Sequence, residues 1–320
     1  MEINEKTIKL LSTIGPRASF GMKALDLIKK HQNLMIVTCD VSTSAGLDRF
    51  RKTYPENYVD LGIAEQNMIG VATGLARKDY KVITTTFAPF QSMRCCEQIK
   101  VNLGYMEESI TMVGLASGLV LGNLGYTHCC IEDIGVLRSI PNLTIISPAD
   151  SVETIKAIEA SIEHDQSCYI RLTGGTNNPT VYKSNYDFQI GKAVCLKKGG
   201  DITIFSSGAS VYDCLEVSKK LKEMNILSNI INVHTIKPID EKTVLDFAKK
   251  SKLIVTVEEH NKIGGLGSAI SETISKLDNS PKQITLGVND NYSKSGSYQY
   301  LKNYYGLTQD MILKDILKNL

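Results

Sequence analysis

Residues 58–76 read YVDLGIAEQNMIGVATGLA. The run opens on strand-forming residues, turns at Gly62, and continues into a helix whose apolar side chains Met68, Val71, Ala72 and Leu75 recur at helical spacing. A strand that turns through a glycine into an apolar helix is the building unit of a parallel α/β sheet. Glu65 stands in the first turn of that helix, where an acidic side chain complements the positive end of the macrodipole. The helix is also apolar enough to be buried, and a carboxyl group against an apolar wall is suited to sharing a proton with a ring nitrogen. Both readings of Glu65 are open on the residues alone.

The same rhythm extends in both directions. Strands are expected over 34–39, 82–86, 110–115, 143–147 and 168–172, with helices over 64–77, 91–103 and 151–164 between them. Asp150 or Ser151 can cap the last of these helices, with Glu153 in its first turn. Residues 173–184 are rich in Gly, Asn, Thr and Pro and read as a loop. After Gly199-Gly200 the alternation resumes, with strands expected over 202–206, 229–233, 253–257 and 283–287 and helices over 211–223, 240–249, 266–277 and 308–320. The expected architecture is α/β in two domains, 1–184 and 185–320, each a mainly parallel sheet flanked by helices, with no internal repeat.

Composition narrows the function. Of 320 residues, 42% are hydrophobic and 22% charged, enough for two packed cores and too little charge for wholesale disorder. The net charge of +2, with both signs scattered, gives no reason to expect nucleic acid or an anionic membrane as partner. The eight cysteines form no CxxC pair, and Cys95-Cys96 and Cys129-Cys130 are adjacent, so neither a disulfide framework nor a metal site is expected. With no signal peptide at Met1 and no apolar run long enough to span a bilayer, the expected location is the cytoplasm, with reduced thiols.

Other residues carry chemistry with a plain structural alternative beside it. Phe87 and Phe90, in TTTFAPF at a strand end, are either core aromatics or a flat face for a flat ring. His128 is either a capping histidine or a group that exchanges protons near neutral pH. Arg17 and Arg171 are either salt-bridge partners or forks for an anion. Gly264-Gly265-Leu266-Gly267 precedes a helix but lacks the rest of a nucleotide fingerprint, so it reads as structural.

Taken together, GIAEQNMIGVATGLA, TTTFAPF, YTHCCIEDIGVLRSIPNLTIISPAD, HTIKPID and EEHNKIGGLGSAISE resemble successive signatures of the transketolase family. The resemblance runs in order over nearly the whole chain and corresponds to the second half of a full-length transketolase. It implies a pyrimidine-binding domain followed by a transketolase C-terminal domain, with thiamine diphosphate as cofactor. Glu65 then matches the glutamate that hydrogen-bonds N1′ of the aminopyrimidine, so that the cofactor itself becomes the nucleophile. Ile63 matches the aliphatic wedge that keeps the cofactor bent, Phe90 the ring that stacks on the aminopyrimidine, and Phe87 a lining residue of the same pocket. His128 matches a histidine facing the ketose donor, while Arg17, Ser44 and Arg171 match a cluster that holds a substrate phosphate.

Such enzymes anchor the diphosphate through a divalent metal on a GDG motif, and the nearest string here, Gly199-Gly200-Asp201, lacks the second glycine. The implied enzyme is therefore split. A partner subunit carrying the GDG motif holds Mg²⁺ (or Ca²⁺) and the diphosphate, the two chains share the cofactor, and an α2β2 assembly is expected. The implied reaction transfers a two-carbon ketol unit between a ketose phosphate and an aldose phosphate. Ala116 and Leu124 stand where a typical transketolase carries a histidine and an aspartate, and Gly174-Gly175 where split relatives often carry another basic residue, which leaves the sugars open. The rival readings are a deoxyxylulose-phosphate synthase, a 2-oxoacid dehydrogenase β subunit, or a silent assembly subunit. The wording IED after His128 and SPAD at 147–150, and the presence of Glu65, Phe90 and His128 together, weigh against them.

Overall fold

Leu34, Met35, Ile36 and Val37 are apolar and β-prone, and with Thr38 they form β1 (Leu34–Thr38), a strand with every side chain buried, as an interior strand of a parallel sheet requires. In the computed structural model, which describes residues 1–320, the other strands are β2 (Tyr58–Asp60), β3 (Lys81–Phe87), β4 (Thr111–Leu115), β5 (Leu143–Ile146) and β6 (Ser167–Arg171). They are followed by β7 (Val194–Lys197), β8 (Ile202–Ser206), β9 (Ser228–Asn232), β10 (Thr235–Lys237), β11 (Leu253–Asn261) and β12 (Lys282–Val288).

Two sheets result, each mainly parallel and flanked by helices. The first runs β10-β5-β6-β4-β3-β1-β2, parallel throughout except at β10. The second runs β12-β11-β8-β9-β7, parallel except at β7. β10 crosses between the two halves of the sequence: Thr235 pairs with Ile146 and Lys237 with Ile145, so a strand from beyond residue 185 completes the first sheet. Apolar packing also crosses. Met112 and Ile145 of the first sheet share one buried cluster with Phe205, Ile231 and Ile254 of the second. Burial of that kind fixes two sheets against each other more firmly than a linker can.

Several elements depart from the sequence expectation, β10 and the two described next among them. The single helix expected over 91–103 is instead a turn at Ala88–Gln91, a turn at Cys96–Gln98, and a π-helical segment at Ile99–Tyr105. The wide turn closes with the Met106 N–H donating to the Val101 carbonyl at 3.0 Å. Gly104 makes it possible: a Cβ there would lie 2.8 Å from Ile140 Cγ2 and 3.1 Å from the Pro141 carbonyl. At the N-terminus a helix not expected from the sequence, Glu5–Leu27, is capped by Asn4, which accepts the Thr7 N–H. It kinks at Gly15, whose φ of 78° restarts the helix at Pro16, a residue pre-set for a first helical position. No helix is long and apolar enough to cross a membrane.

Candidate active site

The first sheet delivers its chemistry at the C-terminal ends of its strands. β1 and β2 lead to the turn at Gly62, where the Asp60 carboxylate accepts the Gly62 and Asp40 N–H groups at 3.0 Å each. Gly62 takes a φ of 65°, which a side chain would oppose. The turn sets Glu65 at the start of the helix Glu65–Ala76, with only 4% of the residue exposed. β3 ends at Phe87, and the following turn, opened by Pro89, presents Phe90.

Four of the expected residues converge. The rings of Phe90 and His128 are 5.3 Å apart, Phe87 and His128 5.9 Å, and Phe87 and Phe90 6.5 Å, all edge-to-face. Arg94, which the sequence reading did not single out, joins them to Glu65. Its Nη1 donates to Glu65 Oε2 at 2.8 Å, and its guanidinium carbon lies 4.0 Å from the Phe90 ring centroid. The signal for it was weak: an arginine four residues past Phe90, in a segment read as a plain helix. His128 is oriented by a 3.0 Å hydrogen bond between its Nδ1 and the Thr127 hydroxyl.

The wall beside Glu65 is neutral. Burial, reinforced by the Glu65 charge, pushes the Cys39 and Cys95 thiols up to about 11 and about 12. Cys95 donates to the Phe90 carbonyl at 3.0 Å, and Cys39 lies 3.7 Å from the Met68 sulfur. Ile63, two residues before Glu65, is 76% exposed, a large apolar side chain with nothing in this chain to cover it.

Arg17 and Ser44 meet in a separate cavity of about 290 Å³, lined also by Gly15, Gly46, Gly174 and Gly175. The kink builds it. The Ser12 and Thr13 carbonyls accept from Asn178 and Asn177 rather than continuing the helix, and the second helical segment begins at the cavity with Arg17 in its first turn. A helix start beside a guanidinium favours an anion. Burial lowers the Arg17 pKa from its usual value, and no carboxylate offsets that.

Arg171 is not brought to this cavity, which corrects the expectation that it grips a phosphate there. The residue is 1% exposed, and its Nε donates to both Asp133 carboxylate oxygens at 2.9 Å. Its Nη2 donates to the Cys130 and Glu259 carbonyls at 3.1 and 2.6 Å. Burial acts to lower its pKa, but the Asp133 ion pair outweighs burial and holds it above the usual range. The glycine run before the helix Leu266–Ile274 is structural, as read. Glu258 accepts the Leu266 and Gly267 N–H groups at 2.7 and 2.8 Å, so the helix start is taken by the chain's own carboxylate.

The donors fit one half of a thiamine diphosphate site. A buried carboxylate, an aromatic face that already stacks a flat guanidinium, and a neutral wall suit an aminopyrimidine. No group of three or more His, Cys, Asp or Glu side chains in the chain could hold a metal ion.

Comparison with known proteins follows the same division. The transketolase pyrimidine-binding domain matches residues 13–177 and the transketolase C-terminal domain residues 191–312. The chain is 36% identical to a transketolase C-terminal section of Methanocaldococcus jannaschii, over 96% of each chain. It is 33% identical to one of the subunits of an apulose-4-phosphate transketolase of Phocaeicola vulgatus, over 95% of this chain and 97% of that one. Among solved structures, it is similar to a split-gene transketolase described as an inactive β4 tetramer, with a TM-score of 0.87, 31% identity, and coverage of 95% and 98%. The chain therefore belongs to the transketolase family, whose pyrimidine-binding and C-terminal domains it comprises.

Proposed function

We propose that this chain is the C-terminal subunit of a split, thiamine-diphosphate-dependent transketolase. It transfers a two-carbon ketol unit from a ketose phosphate to an aldose phosphate together with a second subunit that supplies the diphosphate and Mg²⁺ site. The observation that carries this reading is Glu65: a 4% exposed carboxylate, fixed at 2.8 Å by Arg94, at the edge of a Phe87–Phe90–His128 cluster. The naming of the Phocaeicola relative as a subunit and the inactivity of the β-only tetramer both support dependence on a partner.

The bound cofactor supplies a carbon nucleophile at its thiazolium ring. Glu65 holds the proton shared with the aminopyrimidine nitrogen, and Arg94 keeps the carboxylate aimed and charge-balanced. Phe90 would give the ring a flat apolar face, Phe87 would line the same pocket, and Ile63 would support the bound cofactor. His128 donates to a donor hydroxyl beside the reacting carbon. Arg17, Ser44 and the helix start at Pro16 receive the substrate's anionic end. Ala116 and Leu124 are apolar where a typical transketolase carries polar groups, so the standard pentose phosphates are not assumed as the substrates.

The test is reconstitution with a partner chain bearing a GDG motif, expected to be encoded beside this one. The pair is expected to transfer ketol units, and Glu65→Gln to lower turnover about 100-fold or more with assembly intact. Full activity in the variant would overturn the role given to Glu65. Pyruvate consumption without ketol transfer would point instead to the synthase or the dehydrogenase.

A further inference from the structure

The segment 116–132 follows β4 and leads into the helix Asp133–Arg138, so by sequence it belongs to the first sheet. Its apolar side chains are buried elsewhere. Leu119, Cys129 and Ile131 pack into the core of the second sheet, with Val255, Ile204 and Leu301. His128 sits between those anchors. The segment is closed at its neck, where Gly118 and Cys130 exchange backbone hydrogen bonds of 2.8 and 3.0 Å.

Groups of the C-terminal domain hold the closed loop on both sides of His128. Glu259, 2% exposed, accepts the Leu119 N–H at 3.4 Å and the Tyr298 hydroxyl. It fits so closely that a Cβ at Gly118 would lie 2.8 Å from its Oε2. Arg171 donates through one nitrogen to the Cys130 carbonyl of the loop and the Glu259 carbonyl of β11, tying them together. The Asn261 N–H donates to the Ile131 carbonyl at 2.8 Å. Tyr126, two residues before His128, has its hydroxyl 2.5 Å from that of Tyr305 and 2.9 Å from that of Ser293.

We propose that the C-terminal domain sets the position of the active-site histidine, with Glu259 and Tyr298 as positioning residues that fasten the loop 116–132 while touching neither cofactor nor substrate. The proposal rests on the reading of His128 as a substrate-facing group. Its physical basis is that a long irregular loop holds one conformation only where its polar groups and apolar side chains find fixed partners, and misplacement of a positioned group is costly in rate. Here those partners, Arg171 apart, lie in the domain that contributes none of the four clustered site residues, Glu65, Phe87, Phe90 and His128. That gives the C-terminal domain a catalytic reason to be present.

Glu259→Gln and Tyr298→Phe test it, each in the full chain. In the chain alone, amide hydrogen exchange over 118–130 is expected to accelerate in both variants, with exchange in β1 and β3 unchanged. In the reconstituted pair, kcat for ketol transfer is expected to fall about 10-fold with thiamine diphosphate affinity unchanged. Adding His128→Asn to either variant is expected to cost less than it costs in the wild type, because both changes remove the same contribution. Unchanged loop exchange in both variants overturns the proposal, as does a full, independent His128→Asn cost on top of either. Tyr298→Phe carries the test should Glu259→Gln fail to fold, since it removes a single hydroxyl. A wild-type pair without ketol transfer would defeat the functional reading instead, while loop exchange would still decide whether this domain holds the loop.

Discussion

The face around Glu65 and the seam around Arg171 use the same kinds of residue and come out differently. In the seam, Arg171 meets Asp133, Glu259 meets Tyr298, and Glu153 receives Asn232, Tyr186 and the Ala149 N–H, so each of these buried charged groups has a partner in the chain. On the open face, Arg17 has no carboxylate beside it and Ile63 is 76% exposed. Buried charges persist when paired, and the open face leaves a cation and a large apolar side chain without such partners. The seam pairs its charges within the chain, and the open face leaves groups uncovered, as the proposed half-site requires.

The largest expected effect would break the seam. Arg171→Met leaves Asp133 buried without its cationic partner, holding only the Tyr169 hydroxyl, and chemical denaturation of the chain is expected to show a loss of about 3–5 kcal/mol. A variant that instead kept its stability and lost only affinity for phosphorylated substrates would return Arg171 to the open face.

Next comes pH. Asp150 accepts the Glu153, Val181 and Tyr182 N–H groups at 2.8–2.9 Å, yet burial pushes its carboxyl up to about 6. A carboxyl whose folded pKa is raised contributes stability when protonated and loses that contribution as pH rises through the folded value. Wild type is therefore expected to lose stability relative to Asp150→Asn between pH 4 and pH 7, by on the order of 3 kcal/mol. Urea unfolding of both proteins at the two pH values measures it. A difference that does not change with pH would remove Asp150 as the titrating group.

The smallest effect belongs to the open face. Arg17→Met is expected to raise KM for a sugar phosphate about 10- to 100-fold with folding intact, since a charge-assisted contact to phosphate contributes about 1.5–3 kcal/mol. Unchanged KM would detach the cavity from substrate binding.

How much of this was legible in the sequence follows from which interactions are local. The interior strands were readable because each is a run of residues buried on both faces, and β8 begins and ends as expected. Glu65, Phe87, Phe90 and His128 could be singled out through their motifs, and the sheet brings them together because parallel strands deliver their C-terminal ends to one edge. Arg171 was misjudged because its partner Asp133 lies 38 residues away and its burial depends on β11, neither visible in YIRLTGG. The break in the helix expected over 91–103 depends on how closely Gly104 approaches Ile140, a tertiary fact that periodicity does not encode. β10 was missed because a strand of three residues that pairs across the domain boundary carries no periodic signal of its own.

The most direct test of the half-site is calorimetric titration of thiamine diphosphate with Mg²⁺ into this chain, into its partner, and into the two together. Tight binding is expected only in the mixture, and Glu65→Gln in this chain is expected to weaken it. Binding by this chain alone as tight as by the mixture would contradict the account.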